Sequence, residues 1–443
     1  MPRGARPVSP AVVALLLSLL FLAVRAAMLF AREPFFDELF TVWMARRPFA
    51  AILPALLHDS GPPLYYWMAR IPSVFGLRLL SLAFACVPFA LLLRRRRFVE
   101  AALLAVYPPA VLFAVDARAY ALCGALVAVA VLLLEKRRPY AAAVALAAAG
   151  YAHYYAVLLF PLLLWRGGDS AEPSHGSHWS HLSYWSHRFP AALAALLFIP
   201  GFLLALRQPR EALAWNRQQP LYTPLLNLSF AGDYPAALLL GVPAAMAITA
   251  TALLLIAGAR SARYLPFVVV PLLVATLFAL TGRTVYYPLR FESVIAFPLV
   301  LWLGASVARW GKGARRALTA ALLLTGVFAL YRGIDDHLRR PLDPYREAAL
   351  TLKARAGAEP VVASGYLYLE AVTQLGERVI PFPPEQAQHP GWRAIALVDA
   401  ASLPRQPFLW IGERQAPELG VIRRSRRIEP LFANDNALIV RVH

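Results

Sequence analysis

The chain has 443 residues, 59% of them hydrophobic and only 16% charged, a composition far from that of a soluble domain. Apolar runs of about 15 to 24 residues recur through most of its length, near what is needed to cross the hydrocarbon core, so the bilayer is the solvent for most of the chain. The net charge of +19 does not signal nucleic acid, because the arginines stand in short clusters between apolar segments instead of along one amphipathic face.

In chain order, Arg3 and Arg6 precede an apolar run from Ala11 to Phe30 that is too long for a signal-peptide core and lacks a small-residue cleavage site. It is expected to be an uncleaved first crossing. Further crossings are predicted at 74–93, 98–115, 118–134, 140–151, 154–165, 189–206, 236–257, 264–281, 289–308 and 316–331. The stretch 140–165 reads as a short helical pair turning at His153. With that assumption the clusters Arg94 to Arg97, Lys136 to Arg138, Arg260 with Arg263, and Arg309 to Arg316 all fall on one side. The positive-inside bias makes that side cytoplasmic, placing the N-terminus inside and the C-terminus outside. The basic loops are also expected to meet anionic membrane lipids.

Cys86 and Cys123, the two cysteines, lie inside apolar runs, which indicates neither a disulfide framework nor a cysteine metal site. Between the sixth and seventh crossings, serines at 174, 177, 180, 183 and 186 alternate with histidines at 175, 178, 181 and 187. This three-residue repeat is expected to be a solvated linker, since it lacks the ordered supporting groups of a metal site. From about residue 340 the pattern changes to a helical Tyr345 to Ala356 followed by short apolar runs at 360–363, 378–381, 394–398, 408–411 and 437–440. That alternation predicts a small α/β domain outside the membrane. The fold class expected is therefore an all-α polytopic transmembrane bundle of about eleven hydrophobic segments, over residues 1–335 with an interfacial outer loop 31–73, followed by an extracytoplasmic α/β domain over 340–443.

The conspicuous polar chemistry falls on the predicted outer side. Asp37 and Glu38 follow the first crossing at the membrane surface, where acids are costly without a purpose. About twenty residues on, His58-Asp59-Ser60-Gly61-Pro62-Pro63-Leu64-Tyr65-Tyr66-Trp67 combines an acid, two stiffening prolines and interfacial aromatics. Asp116 and Arg118, next to Tyr120, interrupt continuous apolar sequence, and their mutual pairing would be one way to tolerate them there. His153 stands among Tyr151, Tyr154 and Tyr155, and Gly282 to Glu292 supplies Arg283 and Arg290 with Tyr286 and Tyr287. Arginines of this kind hold anions bidentately. A general base for a hydroxyl or amine acceptor, with cations for a phosphate leaving group, is what this inventory can supply. A phosphate at the headgroup layer on a long apolar chain is a lipid-linked substrate.

The order of these motifs resembles the GT-C class of multi-spanning glycosyltransferases, of the protein mannosyltransferase and lipid A aminoarabinose transferase kind. The resemblance rests on Phe36-Asp37-Glu38, Asp59-Ser60-Gly61-Pro62-Pro63-Leu64-Tyr65-Tyr66, Ala117-Arg118-Ala119-Tyr120-Ala121-Leu122, His153-Tyr154-Tyr155 and the arginine-tyrosine-proline element of Arg283 to Arg290. Where the family commonly has histidine or asparagine before the tandem prolines, this chain has Gly61, with His58 upstream. The resemblance implies transfer of a sugar from a polyprenyl-phosphate donor to a lipid, glycan or protein acceptor on the outer face, with inversion at the anomeric carbon. It assigns Asp37 as general base, with Glu38 as alternate, and gives Asp116 to the acceptor or sugar. Arg118, Arg283 and Arg290 would clamp the carrier phosphate, while His153 and Tyr65 would contact sugar or phosphate, and Asp59, Tyr120 and Tyr154 complete the substrate-binding set. No cofactor is implied; a divalent cation is compatible with the carboxylates but not required where arginines neutralise the phosphate. The implied setting is a bacterial inner membrane with the active site facing the periplasm.

Two other readings fit parts of the pattern. A transporter or flippase for a lipid-linked substrate also places charges within a membrane, although along a path through it. An inactive scaffold of a polysaccharide assembly complex would have no need to keep Asp37 and Arg118.

Overall fold

A computed structural model describes residues 9–164, 189–208, 264–280, 289–339, 341–384, 401 and 403–443. The expected crossing 236–257, the serine-histidine repeat, Arg283 and the expected strand 394–398 lie outside the described residues. The chain divides into two compact units, one of residues 1–32, 60–69 and 75–338, the other of residues 33–59, 70–74 and 339–443.

The first unit is a bundle of apolar helices, the polytopic membrane architecture the sequence predicts. Every expected crossing among the described residues falls on helical backbone, and five helices are long and apolar enough to span a bilayer. These are α1 (Pro10–Ala31), α5 (Val74–Arg94), α10 (Phe189–Arg207), α12 (Arg290–Val307), which follows the shorter α11 (Pro266–Leu280), and α13, which begins at Lys312 and runs to Arg339. Leu15, Leu16, Leu19 and Leu22 on α1 and Leu196, Phe202, Leu203 and Leu206 on α10 are exposed, an outward apolar surface suited to hydrocarbon. α12 is buried almost throughout and is the centre of the bundle.

One expected crossing is broken, and one expected turn is present. The 98–115 segment divides into α6 (Phe98–Val106) and α7 (Pro108–Leu112) at Tyr107, because Pro108 and Pro109 lack the N–H groups that would continue the helix. In the 140–165 segment, α9 (Pro139–Ala152) ends at His153, whose backbone is extended, and a 3₁₀ segment, Tyr154–Leu164, follows. The turn at His153 is thus where the residue pattern puts it.

At one end of this unit, α5 and α8 (Tyr120–Glu135) stop in matching turns. Arg96 and Arg137 both have φ of 56°, and the next N–H in each case reaches back to Leu92 or Leu133, at 3.0 and 2.9 Å, the closure of a Schellman end. Glu135 ties the two turns together through Arg95 and Arg97, and also accepts from the Tyr264 hydroxyl. Two of the basic clusters expected to share a side therefore do meet.

The second unit is built on a five-stranded sheet in the order β2-β1-β3-β5-β4. Its strands are β1 (Val361–Ala363), β2 (Val379–Pro381), β3 (Phe408–Glu413), β4 (Ile428–Ala433) and β5 (Ala437–Val442). β1 is parallel to both its neighbours, while β3, β5 and β4 are antiparallel. Trp410, fully buried beside Phe408, Val440 and Ile422, anchors the core and donates its indole N–H to Ser364 Oγ at 2.9 Å. β4 was not predicted: it is an edge strand with a half-exposed pattern, a proline and a bulge at Pro430, and so carries no apolar alternation.

Segment 31–73 is mostly helical. α2 (Phe36–Arg46) and α3 (Phe49–Leu56) belong to the second unit, and α4 (Leu64–Met68) to the first. α2 packs on α15 (Leu367–Leu375), which follows α14 (Pro344–Arg355) and β1. Phe36 meets Tyr366 edge-on at 4.7 Å, and the Arg47 guanidinium lies 3.6 Å over the Trp43 ring. Tyr368 on α15 is hydrogen-bonded to Trp43 and close to Arg47. Aromatic anchors of this kind fix one helix on another.

Candidate active site

The end of the first unit opposite Glu135 gathers most of the sequence-predicted residues, because the C-terminus of α1, the turn before α8, the C-terminus of α9 and the N-terminus of α12 all meet there. Asp116 has a side chain with no solvent exposure and pairs with Arg32. Arg118 donates from Nη1 to the Tyr66 hydroxyl at 2.8 Å. The Tyr65 hydroxyl lies 2.9 Å from Ser81 Oγ, and that hydroxyl donates to the Arg118 carbonyl at 3.4 Å. The tandem tyrosines after Pro62-Pro63 thus hold Arg118 from two sides: one at its guanidinium, the other, through Ser81, at its backbone.

A second group is continuous with the first. Arg290, at the first position of α12, lies 5.9 Å from the centre of the Tyr120 ring, which packs 5.1 Å from His153. The Tyr155 ring packs at a tilt against His153 at 4.6 Å and against Phe291 at 5.1 Å. Burial, and then the charges of Arg118 and Arg290, push the His153 imidazole down to about 3, so the ring is neutral at any physiological pH. Its Nδ1 accepts the Tyr155 backbone N–H at 3.3 Å, leaving the proton on Nε2, which is a donor. Tyr154 donates to Gln208, whose amide donates to the Gly61 carbonyl at 2.8 Å. This side-chain relay binds the residue preceding the tandem prolines.

Asp37, Glu38 and Asp59 belong to the second unit. Asp37 and Glu38 occupy the first turn of α2, where the helix dipole favours negative charge. They differ in access: Glu38 is fully buried, whereas Asp37 is partly exposed. Asp59 is half-buried in the bend three residues beyond α3. Arg283 lies outside the described residues. Among those residues, no three histidine, cysteine or acidic side chains are grouped to hold a metal ion.

Three positions escaped the sequence reading. Arg32 balances Asp116; Arg78, almost fully buried, donates to the carbonyls of Leu29 and Arg32 at 3.2 and 2.8 Å and so caps α1; Gln208 bridges Tyr154 and Gly61. Arg78, like Arg25 on α1, is a cation inside an apolar run, a legible signal. Gln208 gave none.

No protein-family profile matches the chain, and no curated protein matches it by sequence. Among solved structures it is similar to ArnT from Cupriavidus metallidurans bound to undecaprenyl phosphate, with a TM-score of 0.55 over 96% of this chain and 97% of that one at 13% identity. The fold is that of ArnT. A second structure of ArnT, in the apo state, gives a TM-score of 0.49 at 12% identity. The likeness is one of fold, and it extends along nearly the whole chain.

Proposed function

We propose that the protein transfers a sugar from a polyprenyl-phosphate donor to an acceptor at the outer face of a bacterial inner membrane. The observation that carries this reading is the meeting of Arg118 and Arg290 around Tyr120 and His153. Two permanent cations there frame an anion site, and the neutral Nε2–H of His153 adds a hydrogen bond without a third charge. The resemblance to ArnT, solved with undecaprenyl phosphate, supports a polyprenyl phosphate as that anion.

In this reaction the acceptor oxygen or nitrogen attacks the anomeric carbon as the bond to the phosphate oxygen breaks, and the phosphate leaves with the electron pair. Arg118, Arg290 and Arg283 offset the charge that develops on it. Asp37 takes the acceptor proton; its exposure favours it over the buried Glu38. Tyr65, Tyr120, Tyr154, Asp59 and Asp116 shape the sugar and acceptor sites. The arginines provide the neutralising charge, so the reading calls for no divalent cation.

The test is transfer of radiolabelled sugar from a panel of synthetic polyprenyl-phosphate sugars into a membrane extract, by wild type beside Asp37→Asn and Arg118→Ala. Transfer by wild type and its loss in both variants supports the reading. Movement of the lipid-sugar between leaflets of a liposome without transfer would replace it with a flippase.

A further inference from the structure

Arg25 lies in the middle of an apolar helix, fully buried, in a bundle whose proposed chemistry is at its end. Its guanidinium is hydrogen-bonded to backbone carbonyls. Nη2 donates to Leu104 at 3.2 Å and Nη1 to Ala105 at 3.0 Å. These are the two carbonyls that Pro108 and Pro109, four residues on, leave without an N–H donor. Nη2 also reaches the Ala110 carbonyl at 3.4 Å, beyond the break, and Nη1 the Phe21 carbonyl of its own helix at 3.3 Å. Arg25 therefore grips the chain on both sides of Tyr107, where the break occurs.

The end of the same helix holds the chain again further on. Arg32, seven residues beyond Arg25, is the extended residue that caps the C-terminus of α1. Its Nη1 donates to the Leu112 carbonyl at 3.1 Å and the guanidinium pairs with Asp116. Between them, the two arginines bond the broken segment at residues 104, 105, 110, 112 and 116. The Asp116 carbonyl in turn accepts the Arg118 N–H at 2.7 Å.

We propose that Arg25 is a positioning residue: it converts the helix break at Pro108-Pro109 into a fixed bend that aims Asp116 and Arg118 at the substrate. This rests on the transfer reaction proposed above. A buried arginine that only satisfied stray carbonyls would be replaceable by any other way of satisfying them. A residue that sets the bend is not replaceable in that way, because restoring the missing N–H groups would let the helix run straight.

That difference gives the experiment. Wild type, Arg25→Met, and Arg25→Met combined with Pro108→Ala and Pro109→Ala are compared as full-length protein in nanodiscs. Each is read for thermal unfolding, donor kcat and KM, and the distance between spin labels at Val99 and Ala119. The triple variant recovers the two N–H donors. The expected result is that it unfolds near the wild-type temperature, yet shows a displaced label distance and kcat/KM at least tenfold down. Wild-type transfer in the triple variant, or an unchanged label distance in Arg25→Met, overturns the proposal. The triple variant serves even where Arg25→Met alone does not fold. If wild type transfers no sugar, the functional reading fails, while the label distances still decide whether Arg25 sets the bend.

Discussion

The Arg32 guanidinium and the Asp116 carboxylate form an ion pair across 84 residues of chain, with the carboxylate wholly removed from solvent. Removing one partner of a buried pair leaves an uncompensated charge and costs about 3–5 kcal/mol, whereas replacing both with apolar groups is often nearly neutral. Arg32→Met is expected to lower the unfolding temperature in nanodiscs markedly. Arg32→Met with Asp116→Leu is expected to regain most of it and remain inactive. A double variant no more stable than the single one would count against the pair as the source of the loss.

Arg118 is held by the Tyr66 hydroxyl at 2.8 Å. Tyr66→Phe is expected to raise donor KM several-fold with little change in kcat, since the cation stays and loses only its restraint. Arg118→Ala should lower kcat/KM about 100-fold, or about 2.7 kcal/mol. Arg118→Lys should recover little of it, because the ammonium lacks the planar fork. Donor titration of the three variants separates these outcomes.

His153 has its titration pushed down to about 3, from an ordinary 6.5. The folded state thus binds this proton more weakly than the unfolded chain. The associated stability is present above about 6.5 and is lost as pH falls from there toward 3. Between pH 6.5 and 8 the ring stays neutral, so the rate should show no inflection that His153→Gln removes. A limb near 6.5 that vanishes in that variant would show that the ring titrates normally.

Glu370, on α15, is buried, and its titration is pushed up to about 7 by burial, with Asp343 and Glu33 adding to the rise and Arg346 opposing it. Because the folded state binds this proton more tightly, the stabilisation is full below about 4.5 and declines as pH rises through 7, by on the order of 3 kcal/mol. Glu370→Gln should abolish that decline and unfold at a higher temperature than wild type at pH 8. Equal pH slopes in the two proteins would remove Glu370 as the cause.

The bundle was legible because lipid and chain geometry impose it locally. An apolar run of crossing length must bury its backbone hydrogen bonds within itself, and α1, α5, α10 and α12 accordingly match their expected bounds within a few residues. The turn at His153 was legible, whereas the break at Pro108-Pro109 was harder to read. It was expected inside a continuous crossing, since a proline pair shows where donors are missing but not whether a distant side chain will replace them. The motifs carrying Tyr65, Arg118, His153 and Arg290 stood out because polar groups are costly beside hydrocarbon.

Residue patterning alone establishes a membrane-embedded helical chain with a small α/β end, and it marks Arg118, His153 and Arg290 as chemically conspicuous. Their partners come from the packing. That Asp116 is balanced by Arg32, that Arg25 collects the carbonyls freed by two prolines, and that α2 with Asp37 is clamped to Tyr366 and Tyr368 are contacts between segments tens to hundreds of residues apart. Periodicity and hydropathy report the solvent around each segment. They carry no record of which buried charge faces which, because that depends on the packing of helices whose apolar faces look alike in sequence.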